Sequence, residues 1–487
     1  MSRAILPDAI SDTWQWLVSV PHLGLYLALG WALYLLGLGG WILLQKRAPV
    51  ATVSWLLGLA ALPYVGFLVY LVFGPQRIKR HRLRRARTRV SLPEPAAWAD
   101  AGGAAAELAT LAKATTGIAP DSATSVRLLV DGGATYEALL EAIAGARHHV
   151  HLEYYIFAPD RSGTMLRDAL VERARAGVDV RLLLDAVGSA KCPHGFFAPL
   201  LAAGGELAWF HPMHFGRIWQ RTWVNLRSHR KIVVVDGCVG FTGGINITDE
   251  ENDRLRNDAY RDLHLRIEGD AVRGLQLLFV EDWAYASGQR DFISSVVQAM
   301  PGRKAGPIAA QVLGSGPDSP WESIHRLHVG AIHEARKRVW LATPYFVPGE
   351  AALMALTSAA LGGLDVRVLV PRRSDSLLVT LAARSYFDEL LEAGVRVYEY
   401  GPRMLHTKAL LVDDDLALVG SANFDARSFS LNFEVCMLFR DEGVAAALTQ
   451  LFETDLGKAP RVRADRPQPL WSVRLPEAAA RLMSPLL

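Results

Sequence analysis

The sequence predicts an α/β fold in which two similar halves, related by a pseudo-twofold axis, follow two transmembrane helices. Three observations predict it. The longest uncharged apolar stretches lie at the N-terminus, β-branched runs alternate with helical patterns from about residue 126, and segments of that region recur at a near-constant offset. The expected organisation is a membrane hairpin over 1–76, a basic run and linker over 77–125, a first half over 126–305 and a second half over 306–487.

Composition excludes several protein classes. With 51% hydrophobic and 21% charged residues among 487, the chain is too apolar for disorder. Its three cysteines are too few and too far apart for a disulfide framework or a zinc site. The net charge of +3 is local, because eight Lys and Arg residues lie between 77 and 89, which leaves 44 basic against 49 acidic residues elsewhere. A DNA-binding cleft would need a broad basic face, so we expect no nucleic-acid partner.

Two apolar segments, about 23–44 and 50–73, carry no charged residue except Lys46 and Arg47 in the short connection between them. At about 1.5 Å per residue, each reaches roughly 33–36 Å, which is enough to cross a hydrocarbon layer. A signal peptide fits poorly, because Asp8 and Asp12 stand where a basic cluster would be expected and a second apolar segment follows directly. A pair of buried helices and a hairpin that only dips into the bilayer remain as alternatives.

The basic run over 77–89 follows the second apolar segment directly. By the positive-inside bias, this side of the membrane is cytoplasmic. We therefore expect a multi-pass protein of the cell membrane with the large C-terminal part of the chain in the cytoplasm. The run is expected either to attract anionic lipid or to act only as a topology anchor.

The remainder of the chain alternates strand and helix patterns, and the pattern repeats. Strands are predicted over 126–130, 150–157, 180–184 and 231–235, and a helix over 164–176. Segment 150–157 has a counterpart at 339–346, and 179–184 has one at 365–370, at offsets of 189 and 186 residues. Such offsets indicate a duplicated domain with a functional cleft between its copies.

The strongest signal lies inside this repeat. Each half contains His-x-Lys, four residues, Asp, six residues, and Gly-x-x-Asn, and the two copies are 177 residues apart. The first copy is His229, Lys231, Asp236 and Asn246; the second is His406, Lys408, Asp413 and Asn423. A single short motif would be weak, but two copies with the same downstream spacing are not expected by chance.

The residue types fit phosphate chemistry. His and Lys two apart on a strand project from one face, and an apolar strand and a turn would return the Asn beside them. Two imidazoles, two ammonium groups and two carboxamides can hold a phosphate diester without metal. One His could attack phosphorus while the other protonates the leaving alcohol. Duplicated structural histidines are the alternative, but buried lysines would be costly without an anion.

Other histidines carry weaker signals. His148, His149 and His151 precede a strand, where a surface turn is favoured over a metal site. His211 and His214 lie in a loop and could line a substrate channel or be ordinary loop residues.

With its paired motif, the chain resembles the phospholipase D superfamily and, within it, the bacterial cardiolipin synthases. The similarity extends over nearly the whole chain, through segments 73–75, 153–157, 225–231, 241–247, 343–348, 423–429 and 431–434. The resemblance implies two phospholipase D-like halves with mixed sheets flanked by helices. It also implies phosphatidyl transfer between two phosphatidylglycerol molecules, giving cardiolipin and glycerol through a phosphohistidine.

The resemblance further implies residue roles. His229 is assigned as nucleophile and His406 as general acid and then base, while both lysines and Asn246 and Asn423 bind phosphate oxygens. Asp236 and Asp413 belong to the motif and support the site. A downstream acid usually orients each His; Glu434 is assigned to the second half and Asp262 to the first. The expected partners are phosphatidylglycerol and anionic membrane lipid, with no cofactor and no metal, and the sequence supports no particular oligomeric state.

The same motif is compatible with other functions. A membrane-bound phosphodiesterase would hydrolyse phospholipid to phosphatidic acid, with water in place of the acceptor alcohol. A nuclease is disfavoured by the apolar segments and by the charge balance. A non-catalytic membrane scaffold is disfavoured by two intact motifs.

Overall fold

The structure is a computed structural model that describes residues 21–44, 49–62, 66, 70, 104–211, 226–289, 291–319 and 321–484. The chain divides into two units, Met1–Arg77 and Ile78–Leu487. Within the first unit, helix α1 spans Leu23–Leu43 and α2 spans Pro49–Ala61. Among the described residues, α1 alone is long and apolar enough to cross a membrane. The expectation of two such helices is therefore met only in part: α2 is 13 residues long, and much of the predicted span 50–73 lies outside the described residues. The basic run 77–89 lies outside them as well.

The second unit begins with a helix and then follows the predicted alternation. Its first part comprises α3 Ala104–Thr116, β1 Asp121–Ala123, β2 Ser125–Val130, α4 Asp131–Ala144, β3 His149–Tyr154, α5 Arg161–Arg175, β4 Asp179–Asp185, α6 Ala198–Ala202, β5 Glu206–Phe210, β6 Ile232–Val235, β7 Val239–Gly243, β8 Leu263–Glu268, α7 Val272–Ser287 and α8 Asp291–Ala299. The five sequence-predicted elements in this stretch are confirmed, with ends that differ by at most three residues.

The remaining part of the unit repeats this order of elements. It comprises β9 Ile308–Ser315, α9 Ser323–Glu334, β10 Arg338–Ala342, β11 Phe346–Val347, α10 Glu350–Leu361, β12 Asp365–Pro371, α11 Leu377–Arg384, α12 Phe387–Glu392, β13 Arg396–Tyr400, β14 Ala409–Val412, β15 Leu416–Gly420, β16 Phe424–Asp425, α13 Ala426–Ser430, β17 Glu434–Arg440, α14 Glu442–Leu456 and α15 Leu475–Leu482.

The two main sheets have the same topology. The seven-stranded sheet has the order β2-β8-β7-β6-β3-β4-β5, and the eight-stranded sheet has β9-β17-β15-β14-β10-β12-β13 with β1 added beside β9. In both sheets three strands are parallel and the rest pair antiparallel. Even the register is kept, since His149 pairs with Asp179 and Arg338 with Asp365. The predicted duplication is therefore present strand by strand.

The central core is shared by the two sheets. Phe279 and Trp283 of α7 are buried in one apolar cluster with side chains from both sheets, such as Leu265 of β8 and Val419 of β15. Each sheet has a further core on its other face, covered by its own helices. Strands β6 and β14 are apolar and fully buried, as expected for strands with helices on both faces. This arrangement holds the ends of β6 and β14, where the motif residues lie, against one another.

Candidate active site

The two motif segments are fixed by reciprocal backbone contacts between the halves. The His229 amide donates to the Phe433 carbonyl oxygen at 2.9 Å, and the His406 amide donates to the Arg261 carbonyl oxygen at 2.7 Å. Ser228 bridges to Phe433 and Arg261 to Leu405, both in parallel sense. Each half therefore positions the histidine of the other.

The His-x-Lys segments lie just before strands β6 and β14. The prediction that they lie within these strands is therefore wrong. Strand β6 begins at Ile232 and β14 at Ala409, one residue after each lysine. The backbone groups that would have extended the sheet ladder bond across the two halves instead. Lys231 Nζ lies 2.8 Å from the His229 carbonyl oxygen, and Lys408 Nζ also donates to the His406 carbonyl oxygen. Both ammonium groups are thereby held beside the imidazoles.

The carboxylates that orient the histidines come from the opposite halves. His229 Nδ1 lies 3.0 Å from Glu434 Oε2, and His406 Nδ1 lies 2.6 Å from Asp262 Oδ2. The assignment of Glu434 to the second-half histidine and Asp262 to the first is therefore wrong, although both residues are in the site. With Nδ1–H donated to a carboxylate, Nε2 of each ring is the nitrogen available for chemistry.

Burial controls the charge of the two imidazoles. Desolvation lowers the pKa of His229, against the raising effect of the Glu434 carboxylate. Desolvation, reinforced by the ammonium group of Lys408, holds the pKa of His406 well below its ordinary value. Both rings are therefore neutral near pH 7 in the free site, and an anionic substrate would favour protonation of the ring that acts as acid.

The lysines and carboxylates form one coupled set. Burial, opposed by Glu434, lowers the pKa of Lys231 to about 7, and burial also lowers that of Lys408. Burial raises the pKa of Asp262 to about 6, whereas His229, Lys231 and the Ser421 hydroxyl outweigh burial at Glu434 and lower its pKa. Such shifts are expected where several charged groups face one water-poor site, and an anion placed there would stabilise both ammonium groups.

The two asparagines occupy related positions. Asn246 donates its side-chain amide to Glu251 Oε1 at 2.7 Å and its backbone amide to Oε2 at 3.0 Å. The backbone amide of Asn423 donates to Ser428 Oγ at 3.2 Å, and Asn423 Oδ1 is buried without a partner among the described residues. Glu251 and Ser428 thus stand five residues after their asparagines, and neither is predicted from the paired motif. Comparing residues beyond the Gly-x-x-Asn spacing could have found this position.

Aromatic rings lie against both histidines. The Tyr155 ring is 4.9 Å from the His229 ring and 5.5 Å from Lys231 Nζ, and the Tyr260 ring is 5.6 Å from the His406 ring. Neither tyrosine is part of the repeated motif, and the sequence analysis did not single them out as site residues. They restrict the imidazoles to a narrow range of orientations.

The motif aspartates lie away from the histidines. Asp236 and Asp413 follow β6 and β14 at the ends opposite the lysines, both with φ of 52°. The Asp236 carboxylate accepts backbone amides of residues 147–149 at 2.8 Å each, and Asp413 accepts those of residues 336–338 at 2.7–3.0 Å. The structure does not bring these two residues together with the other predicted catalytic residues; they fasten the loop before β3 and before β10.

The secondary histidine candidates have other partners. Gln276 bridges His149 Nε2 at 3.0 Å and His151 Nδ1 at 2.9 Å, and His148 is exposed. His151 is buried, so the favoured surface turn is wrong for this residue. His211 is buried between the Leu226 carbonyl and the Tyr285 hydroxyl; His214 lies outside the described residues.

The chemistry of the site favours an anion. Glu251, Asp262 and His406 place donor atoms within 4.8 Å of one another, close enough for a metal ion. Lys408 Nζ, however, lies 3.7 Å from Asp262 Oδ2, and Lys231 also faces Asp262. A metal cation would be repelled by these two ammonium groups, whereas the anion of a phosphate diester would pair with them. The duplicated fold and its paired His–Lys sets define the class of phospholipase D-like enzymes.

Comparisons with known proteins agree with this class. The family model described as "Cardiolipin synthase, PLD-like domain" matches residues 139–268 and 329–456, and the "Phospholipase_D-nuclease N-terminal" model matches 28–75. Cardiolipin synthase 2 of Bacillus anthracis is 40% identical over 92% of this chain and 88% of its own. Cardiolipin synthase of Geobacillus sp. (strain WCH70) is 40% identical over 92% and 91%. A phosphatidylserine synthase from Haemophilus influenzae Rd KW20 shares the fold, with a TM-score of 0.60 and 15% identity over 78% of this chain and 100% of its own.

The chain belongs to the cardiolipin synthase family of phospholipase D-like enzymes. These matches confirm the family that the paired motif predicts. They also confirm the predicted enzyme class, a phosphatidyltransferase.

Proposed function

We propose that the protein is a cardiolipin synthase that transfers a phosphatidyl group from one phosphatidylglycerol to another, releasing glycerol. The observation that carries the proposal is the pair of cross-half contacts, His229 with Glu434 and His406 with Asp262, which turn two Nε2 atoms to a cluster with two buried ammonium groups. Two oriented imidazoles and a dry, cationic pocket are what an in-line exchange at phosphorus needs.

In the first step, His229 Nε2 attacks the phosphorus of the donor lipid. A phosphorus–nitrogen bond forms, and the bond from phosphorus to the headgroup glycerol oxygen breaks. His406, protonated in the presence of the diester anion, gives its proton to that oxygen. Lys231 and Lys408, with Asn246 and Asn423, hold the non-bridging oxygens and stabilise the charge that develops on them.

In the second step, the free glycerol leaves and a second phosphatidylglycerol enters. His406, now neutral, removes the proton of a headgroup hydroxyl while that oxygen attacks phosphorus. The phosphorus–nitrogen bond breaks and His229 is restored. Atoms and charge balance without an energy source, because one diester is exchanged for another, and the reaction is reversible.

The N-terminal unit is proposed to anchor the enzyme as a two-pass hairpin over 23–44 and 50–73, with the catalytic unit in the cytoplasm. Helix α1 and the N-terminal family match over 28–75 support membrane association. The basic run 77–89 supports the cytoplasmic orientation through the positive-inside bias.

The decisive experiment is a product analysis of the full chain in mixed micelles with phosphatidylglycerol alone, without metal or a nucleotide-activated lipid. Cardiolipin and equimolar glycerol are expected. Phosphatidic acid as the main product would mean that water is the acceptor, and would replace the synthase by a phosphodiesterase. His229→Ala and His406→Ala should each abolish both products and still insert into membranes, whereas the exposed His333→Ala serves as a matched control with full activity.

A further inference from the structure

The C-terminal helix α15 carries its apolar side chains on the outside. Glu477 and Ala480 are its buried residues, and Glu477 pairs inward with Arg466. The exposed residues Leu475, Ala478, Ala479 and Leu482 follow the i, i+3, i+4, i+7 spacing of one helix face. A helix that served only to cover the core would have the opposite polarity.

The turn before α15 extends this apolar face. Leu470–Arg474 forms a single π-helical turn in which Trp471 is 82% exposed, as is Leu482 at the far end of α15. Trp471, Leu475, Ala478, Ala479 and Leu482 are called the apolar stripe below. A tryptophan and two leucines exposed together on one short segment indicate a surface that meets a nonaqueous partner.

An arginine-rich cavity adjoins the segment that carries the stripe. Its volume is about 630 Å³, and Val473 and Glu477, from the same segment as the stripe, contribute to its wall. The other charged residues that line it are Arg372, Arg384, Glu399, Arg461, Arg463, Asp465 and Arg466. Three of these arginines pair with the three acids, whereas Arg372 and Arg461 form no ion pair within the described part of the chain. The cavity therefore has an excess of positive charge.

We propose that the apolar stripe and the adjoining arginine cavity form a peripheral docking surface for an anionic phospholipid bilayer. An interfacial helix places Trp and Leu among the acyl chains and its basic residues at the headgroups. The stripe supplies the former, and Arg372 and Arg461 supply free guanidinium groups for lipid phosphates. The stripe and Arg461 lie beyond the matched family domains, which end at residue 456, whereas Arg372 lies within the second of them; none of the paired-motif residues lines the cavity.

The inference is tested on the full chain reconstituted in vesicles. An environment-sensitive dye is attached to Trp471→Cys or Leu482→Cys in a Cys238→Ser background, because Cys238 is the exposed cysteine and the other two are buried. Brominated acyl chains should quench the dye at both positions, more strongly in phosphatidylglycerol–phosphatidylcholine vesicles than in phosphatidylcholine alone. Arg461→Ala should remove part of that difference. A dye at Glu172→Cys, on the exposed face of α5, is the matched control and should not be quenched.

Unquenched dye at positions 471 and 482 would overturn the proposal. A blue-shifted but unquenched dye would indicate that another protein surface, such as a second copy of the chain, covers the stripe, and would also overturn it. The measurement needs no turnover, so its failure is separate from failure of the proposed reaction.

A kinetic arm gives a second readout. In Trp471→Glu/Leu482→Glu, the KM for phosphatidylglycerol in vesicles should rise about tenfold while kcat in detergent micelles stays unchanged. Retention of micelle activity shows that the variant folds, and Gln450→Glu, an exposed substitution on α14, controls for added charge. An unchanged KM in vesicles would contradict the proposal.

Discussion

His229 Nδ1 lies 3.0 Å from Glu434 Oε2, a carboxylate 205 residues further along the chain and in the other half. The reciprocal contact joins His406 to Asp262. A single half would therefore have a histidine without its orienting acid, and the competent site exists only when both halves are docked. This explains why the halves also exchange backbone hydrogen bonds directly beside the histidines.

Neutralising either orienting carboxylate should cost activity without unfolding the protein. Glu434→Gln and Asp262→Asn each replace an acceptor by an amide that can hold its imidazole in the wrong tautomer, so kcat should fall by about 10³- to 10⁴-fold with little change in KM. Steady-state assays in micelles, with circular dichroism as the folding control, check this. Loss of less than tenfold in both variants would show that the carboxylates do not set the tautomers.

The order of the histidines can be read from the leaving group. A donor phosphatidyl ester of p-nitrophenol needs no proton on its leaving oxygen, so release of nitrophenol should survive in His406→Ala and Asp262→Asn but not in His229→Ala and Glu434→Gln. A stopped-flow burst of nitrophenol measures it. The opposite pattern would make His406 the nucleophile. In either case, the variant of each carboxylate should behave like the variant of the histidine with which it pairs.

Gly244 is required by the space around Asp262. A Cβ atom built at this position would come within 2.3 Å of Asp262 Oδ1, whereas Ser421 at the equivalent position donates its hydroxyl to Glu434. Gly244→Ala should therefore displace Asp262 from His406 and lower kcat as strongly as Asp262→Asn. Ser421→Gly creates no clash and removes only the hydroxyl, with its hydrogen bonds to Glu434 and to the Val435 backbone, so it should have the milder effect in the same assay. Equal effects would contradict this steric account.

The motif aspartates should affect stability more than chemistry. Asp236→Ala removes three backbone hydrogen bonds to one carboxylate, and about 2–4 kcal/mol of unfolding free energy should be lost. Kinetics of the folded fraction should stay within a few-fold of the wild type. If the purified, folded variant had lost all turnover, a direct catalytic role would have to be restored to Asp236.

The contribution of the Asp236 carboxylate to the free energy of unfolding should depend on pH in a defined direction. Burial opposes ionisation, but three backbone amides lower the pKa of Asp236 below its ordinary value. A depressed folded pKa adds stability above the unfolded pKa of about 4, and this term disappears as pH falls through the folded value. Urea unfolding of wild type and Asp236→Ala should therefore converge in strong acid.

Activity should fall on the alkaline side because of Lys231. Burial lowers the pKa of its ammonium group to about 7, so the free enzyme loses a phosphate-binding charge as pH rises past that value. The kcat/KM profile in micelles should therefore decline above about pH 7. Lys231→Arg keeps its charge at all accessible pH values and should move the decline upward by more than one pH unit, whatever its absolute rate. If the alkaline decline of kcat/KM stayed at the same pH in Lys231→Arg, a group other than Lys231 would be responsible for it.

The fold was predictable because it repeats. Offsets of 189 and 186 residues between similar segments predicted two halves, and the identical strand orders of the two sheets agree. The placement of His and Lys on a strand was wrong because local pattern cannot show where a ladder ends. At residues 229 and 406 the backbone bonds the other half, and the strands begin only after the lysines.

The sequence by itself determined the candidate site residues: the repeated spacing selected His229, Lys231, Asn246 and their second-half equivalents, and the family resemblance added the acids Asp262 and Glu434. Only the tertiary structure decided which acid serves which histidine, that Asp236 and Asp413 fasten loops, and that Glu251 holds Asn246. The physical reason is that spacing records neighbours along a strand, whereas a pseudo-twofold axis brings together side chains more than a hundred residues apart.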